Sequence, residues 1–142
     1  MPKVQVALTS VIQQEGDVQT LQQTYEGELT VTPQAVKVVY QEAPDCQVKL
    51  WVMPKQITLM RQSRDQETFL RLALGEKKPC HYLVQGHRLE MTSTTQRLTS
   101  TQVHAKSRQV KVEYELFSGL YLVGNYRVTL LFTDRPSMIG KD

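Results

Sequence analysis

The stretch AVKVVYQEAPDCQVKLWVMPKQITLMRQSRDQETFLRLAL, residues 35–74, decides the fold. Apolar side chains recur at every second position in four segments of this stretch, which is the period that a half-buried β-strand requires. The segments are separated by Ala43-Pro44-Asp45, Pro54-Lys55 and Arg64-Asp65. Pro fixes φ and Asp can bond its own downstream backbone, so these breaks are typical of turns. The stretch therefore predicts four consecutive antiparallel strands.

The registers set by the three turns can be compared, because directly opposed residues of a hairpin face the same side of the sheet. The second turn pairs Leu50 with Leu59, and the third pairs Leu59 with Leu70. A five-residue first connection, residues 43–47, pairs Tyr40 with Leu50. All three turns return one apolar face, which a helical pattern would not do.

The same registers place Glu42, Val48, Arg61 and Thr68 in one row of the inner face. Glu42 and Arg61 are then two strands apart, or roughly 10 Å between backbones, and an arginine stem covers most of that distance. We expect these two side chains to form an ion pair or to reach a common polar feature. The alternative is that both are rim charges in solvent, because charged side chains are seldom buried unless they are paired.

The flanking segments also predict strands. A long alternating strand begins at Val4, turns at Glu15-Gly16-Asp17 and returns through a Gln/Thr-rich segment, in which Gly27 indicates a bulge or bend. Residues 99–109 have little periodicity and predict an irregular or weak edge strand. Gly124-Asn125 lies at a change of alternation phase, which is typical of a β-bulge.

The complete pattern gives about nine or ten strands, joined mostly by short links, and no convincing helix. An open sheet of that length tends to curl, and closure removes its edges. We therefore predict an all-β fold, a closed or nearly closed antiparallel up-and-down barrel of about 8–10 strands. Such a barrel is either filled by side chains or holds one small ligand.

Composition is that of one ordinary globular domain over residues 1–142, with a polar tail from about residue 134. The chain has 142 residues, a formal net charge of +3 and no apolar run of 18 residues. The N-terminus lacks a continuous apolar signal core. Cys46 and Cys80 fit neither a disulfide framework nor a zinc cluster. These features predict a cytoplasmic protein with reduced thiols.

The sequence resembles the YwiB-like family of bacterial proteins of unknown function over roughly residues 4–132. The residues that carry the resemblance are Tyr40-Gln41-Glu42, Met60-Arg61, Tyr82 before Gly86, Thr94, Tyr114 and Asn125. The chain departs from the usual family pattern at Arg61-Gln62-Ser63, where the family has Arg-x-Gly. The resemblance implies a calycin-type, lipocalin-like β-barrel and carries no catalytic residues with it.

Inward-facing polar groups give the candidate ligand site, which comprises Tyr40, Glu42, Arg61, Tyr82 and Tyr114. Hydroxyls and one pair of charges would be the few convergent polar groups of a small-molecule cavity, and we expect a small, partly apolar or anionic ligand near Arg61. The alternative is that the tyrosines are core aromatics whose hydroxyls find partners.

We expect neither an enzyme nor a metal or cofactor site. No His has a partner at metal-ligand spacing, no serine or cysteine stands in a nucleophile motif, and no phosphate-binding glycine loop is present.

Outward-facing groups give a second hypothesis, a patch for homodimerisation or partner docking. The registers oppose Val39 to Trp51 and bring Met60 near Phe69 on the exterior. The N-terminal strands or the tail could instead shield this patch.

A third hypothesis is nucleic-acid binding through Arg61, Arg64, Arg71, Arg88 and Arg97. The weak net charge and the alternating glutamates argue against it.

Overall fold

The computed structural model describes residues 3–104 and 107–134, so the predicted polar tail lies almost entirely outside the described residues. The described chain forms ten β-strands: β1 (Lys3–Gln14), β2 (Asp17–Val31), β3 (Val36–Ala43), β4 (Cys46–Met53), β5 (Gln56–Gln62), β6 (Gln66–Ala73), β7 (Lys77–Val84), β8 (His87–His104), β9 (Ser107–Ser118) and β10 (Tyr121–Asp134). No helix occurs within these ranges.

Each strand pairs antiparallel with its neighbours in sequence, and β1 pairs with β10 to close the barrel. The predicted all-β, up-and-down barrel is therefore confirmed, with ten strands. The core fills one end of the interior and is built from valine, leucine and isoleucine side chains of nearly every strand. Val6, Val38 and Val110 are completely buried there.

The registers of the second and third turns are confirmed. Leu50 opposes Leu59, and Leu59 opposes Leu70. The predicted register of the first connection is wrong by two residues, because Tyr40 opposes Val48 and not Leu50. The turn there is shorter than five residues, and a bulge between Gln41 and Ala43 takes up the difference. A shift of two residues preserves the inner face, which explains why the alternation alone did not reveal it.

The bulge changes the row that contains Arg61. Tyr40, and not Glu42, shares the row with Val48, Arg61 and Thr68. Glu42 is the additional residue of the bulge and lies nearer the end of the barrel. A bulge redirects side chains and bends its strand, so it determines where the Glu42 carboxylate points.

Gly27 forms no bulge, because its pairing with both neighbouring strands is regular. A Cβ atom at Gly27 would lie 2.6 Å from the carbonyl oxygen of Val39. The glycine therefore permits a close approach of β2 to β3. The predicted phase change near Gly124 is confirmed as a register shift between Leu122 and Gly124.

The segment predicted as an irregular or weak edge strand is strand over its described residues, in β8 and β9, with a register shift between Gln102 and His104. Residues 97–101 have ladder partners on the β9 side only, as expected for an edge.

A second stretch that is paired on one side only occurs in β2. β2 pairs with β3 only from Gly27 to Val31, so residues 18–24 pair with β1 alone. The sheet parts beyond Gly27, and this opening determines where the interior meets solvent.

Candidate functional site

A cavity of about 310 Å³ occupies the half of the barrel interior near the parting of β2 and β3. All five residues predicted as a ligand site line it: Tyr40, Glu42, Arg61, Tyr82 and Tyr114. The barrel is thus filled by side chains at one end and open at the other. The volume falls at the lower end of the range found for small-molecule sites.

The cavity has a polar level above an apolar one, because successive inward residues of each strand are two positions apart. Arg61, Thr68 and Tyr82 occupy one row of neighbouring strands. The next row toward the core contains Leu50, Leu59 and Leu70. Beyond that row the barrel is closed by the buried side chains of Val52, Ile57 and Leu72. A molecule in the cavity would therefore meet polar groups at the mouth and apolar groups below.

The ion pair expected from the sequence is confirmed. Arg61 Nε donates to Glu42 Oε1 at 2.8 Å, and Arg61 Nη2 donates to Glu42 Oε2 at 2.9 Å. The side chains are 33% and 18% exposed, respectively. The thiol of Cys46 also donates to Glu42 Oε1, at 3.6 Å. Two parallel charge-assisted bonds fix the orientation of both groups as well as their distance.

The surroundings of Arg61 hold its guanidinium in the charged form. Burial alone would lower the pKa of Arg61, but the hydrogen bonds and negative charge of Glu42 outweigh burial and raise the pKa. Burial and the neighbouring carboxylate raise the pKa of the Cys46 thiol. Cys46 is therefore a protonated donor and a poor nucleophile near neutral pH.

Tyr40, Tyr82 and Tyr114 are neutral hydrogen-bonding groups of the cavity. Burial raises the pKa of Tyr82 to about 12. Burial also raises the pKa of Tyr40, and the nearby Glu42 carboxylate raises it further. Burial raises the pKa of Tyr114 as well, with a smaller contribution from the Tyr82 hydroxyl. Tyr114 stacks on Tyr126, with ring centroids 5.0 Å apart. The rings thus form walls, while each phenol offers one donor and one acceptor.

Strands β1 and β2 contribute lining residues that were not predicted from the sequence. These are Ser10, Ile12, Leu21 and Gln23. Leu21 is 40% exposed and lies at the opening. The Gln/Thr-rich segment gave no periodicity that would mark an inner face. The turn comprises only Glu15 and Gly16, because Asp17 pairs with Gln14, and this two-residue turn places Leu21 opposite Ser10. The predicted three-residue turn would have placed Leu21 opposite Val11, so the sequence did not mark Leu21 as facing the cavity.

The predicted outer patch is interrupted by charged side chains. Trp51 opposes Lys37, and Val39 opposes Lys49. The predicted opposition of Val39 and Trp51 is therefore wrong, because the register between β3 and β4 is shifted by two residues from the predicted one. The Lys37 ammonium lies 5.6 Å from the centre of the Trp51 ring.

Met60 does oppose Phe69, as predicted. The Arg71 guanidinium lies 5.2 Å from the centre of the Phe69 ring. All four apolar residues of the predicted patch are only partly exposed.

Four of the five arginines considered for nucleic-acid binding are engaged elsewhere. Arg61 binds Glu42, Arg71 covers Phe69, and Arg88 contacts Glu90. Arg97 lies 3.8 Å from Glu113. Among residues 3–104 and 107–134, no three His, Cys, Asp or Glu side chains cluster to hold a metal ion. No helix in those ranges is long and apolar enough to cross a membrane.

Comparison with known proteins supports the fold. The crystal structure of the ywiB protein from Bacillus subtilis superposes with a TM-score of 0.82 at 17% sequence identity. The match covers 94% of this chain and 92% of that one. No curated protein matches the sequence. A family model described as a domain of unknown function, DUF1934, matches residues 6–130. The chain therefore belongs to the DUF1934 family, which is the YwiB-like family indicated by its sequence.

Proposed function

We propose that this protein is a cytoplasmic binding protein that holds one small, partly apolar molecule in the open half of its barrel. The observation that carries the proposal is the cavity of about 310 Å³, which has a leucine level below and a paired Glu42 and Arg61 at its polar level. Ligand pockets commonly combine apolar walls with a few fixed polar groups.

The packing of the barrel supports this interpretation. Leu59 is only half-buried although it faces inward, whereas Ile57, two residues toward the core, is buried. Some apolar side chains face the interior but keep contact with solvent. A ligand that removes this contact makes the free energy of binding more favourable. The described part of the chain thus provides apolar surface that a bound molecule would cover.

The same groups favour binding over catalysis. Glu42 is engaged by two donors of Arg61, so a proton transfer to its carboxylate would compete with the ion pair. Raised pKa values keep Tyr82 and Cys46 protonated near neutral pH. The cavity therefore offers fixed hydrogen-bonding groups and no activated nucleophile among its described lining residues.

Native mass spectrometry of the protein purified from its own source tests the proposal. We expect a bound fraction that is heavier by the mass of one small molecule, and release of that molecule on denaturation. Leu59→Phe should reduce the bound fraction at least about tenfold, because the larger ring fills the cavity at its apolar level.

Thr58→Phe is the matched control, because Thr58 is the neighbouring residue and lies in the outer row opposite Trp51 and Arg71. It should leave the bound fraction unchanged. A wild-type protein without any bound small molecule, or equal occupancy in Leu59→Phe and the wild type, would contradict the proposal.

A second candidate is homodimerisation, favoured by the one-sided ladder of residues 18–24. This stretch, VQTLQQT, contains no charge and no proline, which are the usual protections of an exposed edge. Two copies paired antiparallel would place no like charges opposite each other. The predicted outer patch is less suitable, because Lys37 and Arg71 cover two of its rings.

Sedimentation equilibrium tests this second candidate. A dimer of the wild type should dissociate in Thr20→Lys, which puts a charge on the unpaired edge. Thr9→Lys is the control, since Thr9 lies on β1 and is paired on both sides, with Gln22 and Thr129. A monomeric wild type would exclude homodimerisation through this edge.

A further inference from the structure

The charges that line the cavity cancel each other. Glu42 and Arg61 are the only carboxylate and guanidinium among the described lining residues, and they are bound to each other. The remaining polar lining groups are hydroxyls and the amide of Gln23. The cavity wall therefore has no net charge to offer to an ion, and a bound ion would lose its hydration without gaining an opposite charge.

The ion pair still has hydrogen-bonding capacity. Arg61 uses Nε and Nη2 on Glu42, which leaves the Nη1 hydrogens and one Nη2 hydrogen as donors. Glu42 Oε2 retains a lone pair beyond its bond to Arg61, whereas Oε1 accepts from both Arg61 and Cys46. A donor and an acceptor are thus presented side by side, which matches an uncharged group that has both functions.

We propose, resting on the binding function above, that the cavity selects a ligand with an uncharged amide-like or hydroxyl head and a short apolar tail, and disfavours carboxylates. An anion would approach the Glu42 carboxylate while the Arg61 charge is already satisfied, and juxtaposed like charges are costly. The tail lies along the level of Leu50, Leu59 and Leu70. At roughly 30 Å³ per water-sized group, the volume accommodates about ten non-hydrogen atoms.

Three probes of nearly equal size and shape test the inference by isothermal titration calorimetry with the full-length protein at pH 7. Octanamide, octanoate and octylammonium have apolar tails of similar length and differ in the charge of the head group. We expect octanamide to bind at least about tenfold more tightly than either ion. Octanoate binding as tight as, or tighter than, octanamide would overturn the inference and leave the proposed binding function intact. Failure of all three probes to bind would count against both.

Glu42→Gln adds an independent comparison, because it removes the negative charge and keeps the shape. The charge of Arg61 is then unbalanced, so octanoate should become the tightest of the three probes. Far-UV circular dichroism establishes that the variant is folded. An unchanged order of affinities in a folded Glu42→Gln protein would also overturn the inference, and the wild-type measurements decide it if the variant does not fold.

Discussion

Glu42 and Arg61 are joined by two hydrogen bonds of 2.8 and 2.9 Å although β4 separates the strands that carry them. The contact exists because Glu42 is the additional residue of the bulge in β3. Regular pairing places Tyr40, and not Glu42, in the row of Arg61. A local irregularity of one strand thus brings the acid of the ion pair to the polar level of the cavity.

The first prediction concerns the energy of this pair. Arg61→Met should lower the free energy of unfolding by about 1–3 kcal/mol, because it leaves a partly buried carboxylate without its main partner. Glu42→Gln completes a double-mutant cycle. The double variant should lose less free energy of unfolding than the two single variants lose together, by about 1 kcal/mol or more. Urea denaturation measures all four proteins. Additive losses would show that the pair contributes as little as an exposed ion pair.

The second prediction concerns the close approach of β2 to β3. Gly27→Ala should destabilise the protein by about 1–3 kcal/mol, because its Cβ would meet the Val39 carbonyl oxygen at 2.6 Å and backbone cannot move aside cheaply. Gly124→Ala is the comparison. Its Cβ would lie 2.9 Å from Cγ of the Gln14 side chain and 3.1 Å from the carbonyl oxygen of Gln13, both farther than the contact at Gly27, so the loss should be smaller. Equal urea midpoints for Gly27→Ala and the wild type would contradict the expected clash.

The third prediction uses two buried hydroxyls of β8. Thr95 Oγ1 is buried without a hydrogen-bond partner, whereas Ser93 Oγ donates to the Arg71 carbonyl oxygen at 2.6 Å. Thr95→Val should stabilise the protein by about 1 kcal/mol, since it removes an unsatisfied polar group without changing the shape of the side chain. Ser93→Ala should destabilise it by a similar amount, because the Arg71 carbonyl loses its hydroxyl donor and keeps the weaker thiol donor of Cys80. Thermal unfolding of both variants measures the contrast, and a destabilised Thr95→Val would contradict it.

The fourth prediction concerns alkaline pH. The pKa of Tyr82 is raised to about 12 in the folded protein, so between pH 10 and pH 12 the unfolded chain releases this proton and the folded one does not. Stability present below pH 10 is therefore lost as the pH rises, by about 2–3 kcal/mol for this residue. Tyr82→Phe should weaken the fall in urea midpoint between pH 9 and pH 11. An equally steep fall in that variant would assign the effect to other groups.

Much of the barrel could be predicted because alternation is a local property of the chain. A strand with one buried face must place apolar groups two residues apart, and short turns force neighbours in sequence to be neighbours in the sheet. The pairing of Leu50, Leu59 and Leu70 follows from those two constraints alone. The inward position of Arg61 follows as well, since it continues the same face.

The register beside β3 could not be predicted in the same way. A two-residue shift leaves every side chain on its face, so the pattern tolerates both the five-residue connection and the turn with a bulge. In the structure Tyr40 opposes Val48 and Glu42 is the additional residue of the bulge, an arrangement that the alternation of β3 alone does not specify. The predicted opposition of Val39 and Trp51 was wrong for this reason.

The sequence by itself determined an antiparallel barrel with a common inner face and an acid and a base on it, because both are consequences of side-chain period and turn position. Only the tertiary structure decided that the interior is open at one end, that Leu21 and Gln23 line it, and that Glu42 neutralises Arg61. The volume left inside a barrel depends on how side chains from opposite walls meet. No property of a single strand specifies that distance.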